Sequence, residues 1–289
     1  MRGIILAGGT GTRLWPITRS VSKQLLPVYD KPMIYYPLGT LMLAGIREIA
    51  IITTPEDKIH FVRLLGDGSQ FGIRLEYLPQ EEPRGIAEAF LIAEKFIGDE
   101  SVVLILGDNI FNGARLGRNL SNFQNIKGAQ IFGYRVKNPE SFGVARLDSN
   151  GKILEIVEKP VNSSSDLAIP GLYFYDQTVV NRAKSISPSS RNELEITAIN
   201  NSYLQDGELQ LEILPRGTVW LDGGTPESLH DAASYVKVIE ERQGQKLCCI
   251  DEIAWRNRWI TTEGLLSNRK AFGSSAYGNY LDTILSEAQ

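Results

Sequence analysis

The chain has 289 residues, 43% of them hydrophobic and 22% charged, with a formal net charge of −4. These proportions suit a globular protein and argue against disorder, and without a basic excess any phosphate site must be local rather than a nucleic-acid-binding surface. Cys248 and Cys249 are adjacent, and His60 and His230 are far apart with no ligand spacing, which argues against a disulfide framework and a cysteine- or histidine-based metal site.

In chain order, residues 3–7 (GIILA) read as a buried strand followed by a glycine-rich loop. A helix is expected over 33–45, opened by Pro32, with Pro37 in its first turn. A strand follows over 47–53, then a helix over 56–65 stopped by Gly66, then a strand over 73–79. Residues 85–97 (GIAEAFLIAEKFI) predict a helix, and 101–106 (SVVLIL) a strand apolar on both faces, as a central parallel strand would be. The alternation implies a Rossmann-like, three-layer α/β fold with a mostly parallel sheet and helices on both faces.

Beyond this the pattern changes. Residues 143–158 read as a β-hairpin turning at Asn150-Gly151. Strands are expected over 171–175, 209–214 and 218–221, and a long helix over 226–242. The remainder reads as helical. The resulting plan is one α/β domain over 1–242, divided at about 125 and followed by a helical appendage over 243–289. No run of about 18 apolar residues marks a membrane span. The first apolar run is too short for a signal peptide, so a cytoplasmic protein is expected.

The loop LAGGTGTRL (6–14) fits neither common phosphate template. A dinucleotide fingerprint starting at Gly9 and Gly11 would need glycine at Leu14. A P-loop starting at Gly3 would need lysine where Gly9 stands. What remains is Gly8, Gly9 and Gly11, whose backbone N–H groups can approach a phosphate chain closely. Thr12 adds a hydroxyl, Arg13 a planar fork, and Lys23, ten residues on, a second cation.

GIILAGGTGTRLWPIT and SKQLLPVYDKPMIYYPL resemble the signature of sugar-nucleotide pyrophosphorylases, the second block especially that of the glucose-1-phosphate thymidylyltransferases. The resemblance returns in LLGDGSQFGI, LGDNIF, EKP, GLYFYD, ELEIT, WLDGGT and DEIAWRNRWI, and so spans nearly the whole chain. It implies Mg²⁺-dependent transfer of a nucleotidyl group from dTTP to glucose 1-phosphate, giving dTDP-glucose and pyrophosphate. UTP and other sugar phosphates remain open as alternatives.

Two aspartates lie at strand ends, where ligands of open α/β sheets collect. Asp108 follows SVVLIL, and a hard carboxylate there suits a Mg²⁺ bound to a triphosphate. Asp222 ends a shorter strand and also suits a turn. The resemblance implies that the two share the metal. It further implies that Leu6, Gln24, Gln80 and Gly85 serve the nucleotide beside the glycine loop. Asn109, Gly143, Glu158, Lys159, Ile169 and Tyr173 would take the sugar phosphate. If IVEKP stays extended, as Pro160 favours, Glu158 and Lys159 point to opposite faces. Arg191 matches an arginine near the phosphates. With Arg13, Lys23 and Lys159 it completes the cations expected to act in catalysis.

The chain departs from the family pattern Q-x-x-P-x-G-L-A-Q-A at Ile86 and Glu88, which bears on base selectivity. ELEIT is followed by Ala198 rather than the usual aspartate. Arg216, Gly217, Glu252, Ile253 and Arg256 resemble a second, regulatory site for a dTDP-sugar at a subunit interface, implying a homotetramer. An amphipathic helix packing Ile253 and Trp255 is the alternative. A Rossmann oxidoreductase would need the missing third glycine and a clear acidic ribose ligand. A non-catalytic nucleotide-sugar sensor would need neither Lys23 nor both aspartates.

Overall fold

Two apolar cores, one on each face of a twisted sheet, set the layers of the molecule. The computed structural model describes residues 1–287. Its first half runs β1 (Arg2–Ala7), α1 (Tyr35–Leu43), β2 (Glu48–Thr53), α2 (Lys58–Leu65), β3 (Arg74–Pro79), the short helices α3 (Glu88–Ile92) and α4 (Glu94–Ile97), and β4 (Val102–Leu106). Strands β3, β2, β1 and β4 lie side by side in that order, all parallel. Ile5, Ile51, Val103 and Ile105 face one core, with Leu38 of α1 and Phe61 of α2. Ile4, Ile52, Val102 and Leu104 face the other, with Phe90 of α3. Because alternate residues face opposite sides, a continuous apolar run is what a strand covered on both faces requires.

The second half contains β5 (Asn109–Asn112), α5 (Leu116–Ser121), β6 (Ala129–Arg135), β7 (Gly143–Leu147), β8 (Ile153–Glu158), β9 (Leu167–Ala168) and β10 (Leu172–Tyr175). Then come α6 (Val179–Ser185), α7 (Ile196–Gln205), β11 (Leu209–Ile213) and β12 (Val219–Asp222). Here the order mixes. β10 inserts antiparallel between β4 and β6, while β11 pairs with β6 in parallel. β9, β7 and β8 extend the sheet outward as antiparallel strands. The expected α/β fold is thus present, with an unbroken parallel run only over its first four strands. β5 and β12 stand apart as their own antiparallel pair.

Local chemistry explains where elements begin and end. The expected helix over 85–97 starts only at Glu88 and breaks at Ala93 (φ −91°, ψ 9°). The hairpin turns at Gly151 (φ +82°), and Asp148 secures it by accepting from the N–H groups of Asn150 and Lys152 at 2.8 and 2.9 Å. Periodicity does not reveal β6, α6 or α7. Gly133 breaks the apolar pattern of β6 while the strand continues through it, and a Cβ there would lie 2.9 Å from Leu167 Cδ1. In α7, two asparagines and a serine weaken the helical signal.

Helix α8 (Pro226–Gln243) opens with a capping box between Thr225 and Ser228 and with Pro226 at its first position. The C-terminal helices α9 (Ile250–Arg256), α10 (Thr262–Ala271) and α11 (Ala276–Glu287) follow. Their Ile250, Leu265 and Leu281 join the same core as Leu38 and Leu41 of α1. The approach is close: a Cβ on Gly39 would lie 2.6 Å from Cys248 Cβ. Among the described residues, no helix is long and apolar enough to cross a membrane.

A buried charge cluster ties these parts together. Lys31 Nζ lies 2.6 Å from Asp30 Oδ1 and 2.7 Å from Glu240 Oε1, and Lys246 binds the same two carboxylates. Burial pulls the Asp30 carboxyl upward, but the two ammonium groups outweigh it and hold it below its ordinary range. Lys31→Met leaves Glu240 and Asp30 short of a buried cation, and is expected to cost about 3–5 kcal/mol in urea denaturation. A loss below about 1 kcal/mol would show that the cluster does not secure the fold.

Candidate active site

The glycine loop leaves β1 and is fastened at three points. Gly11 adopts a left-handed conformation (φ 61°, ψ 24°) and its carbonyl accepts from Thr18 Oγ1 at 2.7 Å. Leu14, standing where a dinucleotide fingerprint would have its third glycine, is fully buried and pins the loop to the core. Gly8 is pressed against Gln80, whose Oε1 would be 2.1 Å from a Cβ. Gly9 has open space around it. Backbone N–H groups and the exposed Thr12 and Arg13 are therefore presented on a short, anchored turn.

Asp108 follows β4 and precedes β5. The β5–β12 pairing sets Asp222 opposite Asn109, and Gly223 N–H donates to the Asp108 carbonyl at 3.0 Å. The backbone thus holds two carboxylates side by side. Lys23 donates to Asp108 Oδ2, and Asn109 Nδ2 donates to Asp108 Oδ1 at 2.8 Å. Asn109 is itself fixed, because its Oδ1 accepts from Gly171 N–H at 3.0 Å and from Trp220 Nε1 at 2.7 Å. Burial favours a neutral Asp108, but the Lys23 ammonium prevails and lowers its pKa. Asp222 moves the other way: burial and the charge of Asp108 raise it, against the opposing pull of Arg13 and Lys23. The Arg13 guanidinium reaches this corner, since a Cβ on Gly224 would be 3.1 Å from Arg13 Nη2 and 3.2 Å from Asp222 Oδ2.

This donor set fits a hard divalent cation. Two carboxylates are held together at a repulsive cost that a cation would relieve. Among the described residues no third histidine, cysteine or acidic side chain joins them. Water and phosphate oxygens would fill the remaining positions.

A cavity of about 250 Å³ runs from Arg13, Asp108 and Asp222 to Gly143, Glu158, Lys159 and Tyr173. Gly143 pairs with Glu158 across β7 and β8. A side chain there would crowd Glu158 Oε2, 3.2 Å from the Cβ position. Thr197 Oγ1 donates to that same oxygen at 2.6 Å. Burial and the nearby Glu158 charge push the Tyr173 phenol up.

Comparison with known proteins places the chain in a family. The family model described as nucleotidyl transferase matches residues 2–238. A glucose-1-phosphate thymidylyltransferase from Neisseria gonorrhoeae is 57% identical over 282 residues, 97% of this chain and 98% of that one. One from Mycobacterium tuberculosis is 54% identical, covering 99% of each chain. The chain belongs to the glucose-1-phosphate thymidylyltransferase family. It is an enzyme, a nucleotidyltransferase acting on a sugar phosphate. Among solved structures, UDP-glucose pyrophosphorylase complexed with UDP-glucose superposes with a TM-score of 0.72 at 25% identity, covering 82% of this chain and 98% of that one.

The residues that the family resemblance singles out divide into three groups. Arg13, Asp108, Asn109, Gly143, Glu158, Lys159, Ile169, Tyr173 and Asp222 all line the cavity. Lys23 joins them through its ion pair with Asp108. The others stand back from it. Gln24 is 3% exposed, accepts from Ser22 Oγ at 2.8 Å, and packs beneath Gly107. The Leu6 carbonyl accepts from Gly107 N–H at 2.9 Å, so both residues shape the strand ends beneath the loop. Gly85 (φ +104°) is required by a neighbouring backbone, because a Cβ would lie 2.4 Å from the Leu194 carbonyl oxygen.

One expectation needs correction. Lys159 is not extended: its φ is +42°, so the chain turns as β8 ends. Lys159 and Glu158 consequently line the same cavity, with Nζ 4.0 Å from Oε1. The guanidinium of Arg191 is engaged by acidic neighbours, with Nη2 2.8 Å from both Glu195 oxygens and 3.3 Å from Glu158 Oε1. Arg191 therefore braces Glu158 from outside the cavity lining.

Sequence reasoning passed over Thr197, Asn200, Phe142 and Trp220, which also line the cavity. ELEIT contains Thr197, but its placement depends on α7, which periodicity does not reveal. Asn109→Ala is expected to orphan Gly171 N–H and Trp220 Nε1 and to cost about 3 kcal/mol in urea denaturation. A loss under about 1 kcal/mol would show that Asn109 does not hold the two halves together.

Proposed function

We propose that the enzyme transfers a thymidylyl group from dTTP to glucose 1-phosphate, releasing pyrophosphate, with Mg²⁺ held by Asp108 and Asp222. The observation that carries this reading is the cavity itself. Arg13 and the paired carboxylates form one end, and Glu158 and Lys159 form the other. A phosphate bound between them would face both.

The sugar phosphate already carries an anionic oxygen, so the chain need not supply a covalent nucleophile. Lys159 orients the attacking phosphate, and Glu158, positioned by Thr197 and Arg191, accepts from sugar hydroxyls. The new P–O bond forms at the α-phosphorus as the bond to the β-phosphate oxygen breaks. Arg13, Lys23 and the loop N–H groups receive the charge of the departing pyrophosphate. When bound, Mg²⁺ would supply electrostatic stabilisation at the α-phosphate. Gln80 and Gly85 would border the nucleobase. The reading places the enzyme in the cytoplasm, where the neighbouring thiols of Cys248 and Cys249 stay reduced.

The deciding experiment is a pyrophosphate-release screen of dTTP and UTP against several sugar 1-phosphates, with and without Mg²⁺. Fastest turnover with dTTP and glucose 1-phosphate, lost on chelation, supports the reading. Asp108→Asn should lower turnover about 10³-fold with an unchanged melting temperature. Near-normal pyrophosphate release by that variant would remove the metal assignment.

A second cleft, of about 650 Å³, supports regulation. Glu252, Ile253 and Arg256 line it together with Arg115, Arg118 and Lys246. Its cations suit a diphosphate. Arg216 and Gly217 are outside this lining, although Thr218 packs against Gly113 at its edge. On this reading a dTDP-sugar such as dTDP-rhamnose inhibits from the cleft of a homotetramer. Arg256→Ala should weaken that inhibition about tenfold without changing basal turnover. Failure of dTDP-rhamnose to bind the wild-type enzyme would remove the site, and sedimentation velocity would test the tetramer.

A further inference from the structure

The amide of Gln80 is held in one orientation by a neighbour that the reaction itself does not use. Gln80 follows β3 and is 3% exposed, with its backbone N–H donating to Thr53 O at 2.8 Å. Its Nε2 donates to Glu88 Oε2 at 2.7 Å, and the same oxygen accepts the Arg84 backbone N–H at 3.2 Å. Oε1 points the other way, against Gly8 of the phosphate loop. Among the described residues the side chain of Gln80 bonds to protein through Nε2 alone.

An ionised carboxylate only accepts, so Glu88 decides which end of the amide faces it. Rotating the amide by 180° would set two acceptor oxygens against each other at hydrogen-bond distance. That rotation also reverses what the amide can read. Thymine and uracil present an N3–H donor beside a carbonyl acceptor, whereas cytosine presents an N3 acceptor beside an amino donor. In its held orientation, Oε1 suits the N3–H and the second Nε2 hydrogen suits the adjoining carbonyl. The rotated amide would suit cytosine.

We propose that Glu88 is a positioning residue for pyrimidine choice: it holds Gln80 in the orientation that takes thymine or uracil and refuses cytosine. The inference rests on the reading above that Gln80 meets the nucleobase. The simpler role, in which Glu88 only secures the 80–88 loop through Arg84, predicts equal effects on every nucleotide.

Calorimetric titration of dTTP and dCTP into the wild-type enzyme, Glu88→Gln, Glu88→Met and Glu88→Ala separates these roles, with KM for glucose 1-phosphate measured alongside. Wild type should bind dTTP more tightly. Glu88→Gln should keep the dTTP-to-dCTP ratio of binding constants within about twofold, because the Arg84 N–H still selects an amide oxygen for the position facing Gln80 Nε2. Glu88→Met and Glu88→Ala remove that acceptor, so either orientation of Gln80 is open. There the ratio should fall about tenfold, while KM for glucose 1-phosphate stays within about twofold. An unchanged ratio in Glu88→Met, or an equal loss for both nucleotides, would overturn the inference and leave the nucleotide reading intact. Wild type binding neither nucleotide would overturn both. Should Glu88→Ala fail to fold, the near-isosteric Glu88→Met decides alone.

Discussion

The short pairing of β5 with β12 is the constraint on which the site depends. It sets Asp222 opposite Asn109 and lets Gly223 hold the Asp108 carbonyl, so two carboxylates are fixed together by backbone rather than by side-chain choice. Like charges would separate if the chain allowed it. Here a ladder of hydrogen bonds opposes that, and burial together with the charge of Asp108 raises the carboxyl of Asp222. A site with this stored repulsion favours whatever brings positive charge. Arg13 and Lys23 supply part of it, and a divalent ion would supply more.

The same pairing joins the two halves of the sheet. Asn109 accepts from Gly171, just before β10, and from Trp220 of β12. β10 is the strand that reverses the sheet between β4 and β6. The cavity therefore lies where parallel order gives way to antiparallel order. A second tie crosses below it, where Gly85 presses on the backbone of Leu194 while Leu194 N–H donates to the Arg84 carbonyl at 2.7 Å. The loop between β3 and α3 and the segment carrying Arg191, Glu195 and Thr197 are thus braced against each other. A shift of one would be felt by the other.

What could be read from sequence was what local chemistry controls. The apolar runs of β1, β2 and β4 declare strands buried on both faces, and the glycine run declares a tight turn after β1. Asp108 and Asp222 are legible as strand-end carboxylates, but their adjacency depends on β5 pairing with a strand more than a hundred residues away. Thr197 and Asn200 were hidden for a related reason. Their helix has weak propensity and is formed by packing Ile196, Ile199 and Tyr203 into the second core. The turn at Lys159 ran against the local preference of a residue before proline, which favours extended backbone. Here the bond from Lys159 N–H to the Phe142 carbonyl, at 3.0 Å, accompanies the turn.

The glycine loop shows how a missing feature can be informative. A third glycine at position 14 would let the following helix pack closely on the strand, as a dinucleotide site requires. Leu14 instead fills the core, and the chain goes on through short turns until α1 begins at Tyr35. Those intervening residues bring Lys23 back to Asp108. The loop therefore lacks a long helix dipole at its end and depends on discrete cations. Arg13 and Lys23 meet at the Asp108–Asp222 pair, where, on the proposed reading, discrete cations would face an extended phosphate chain.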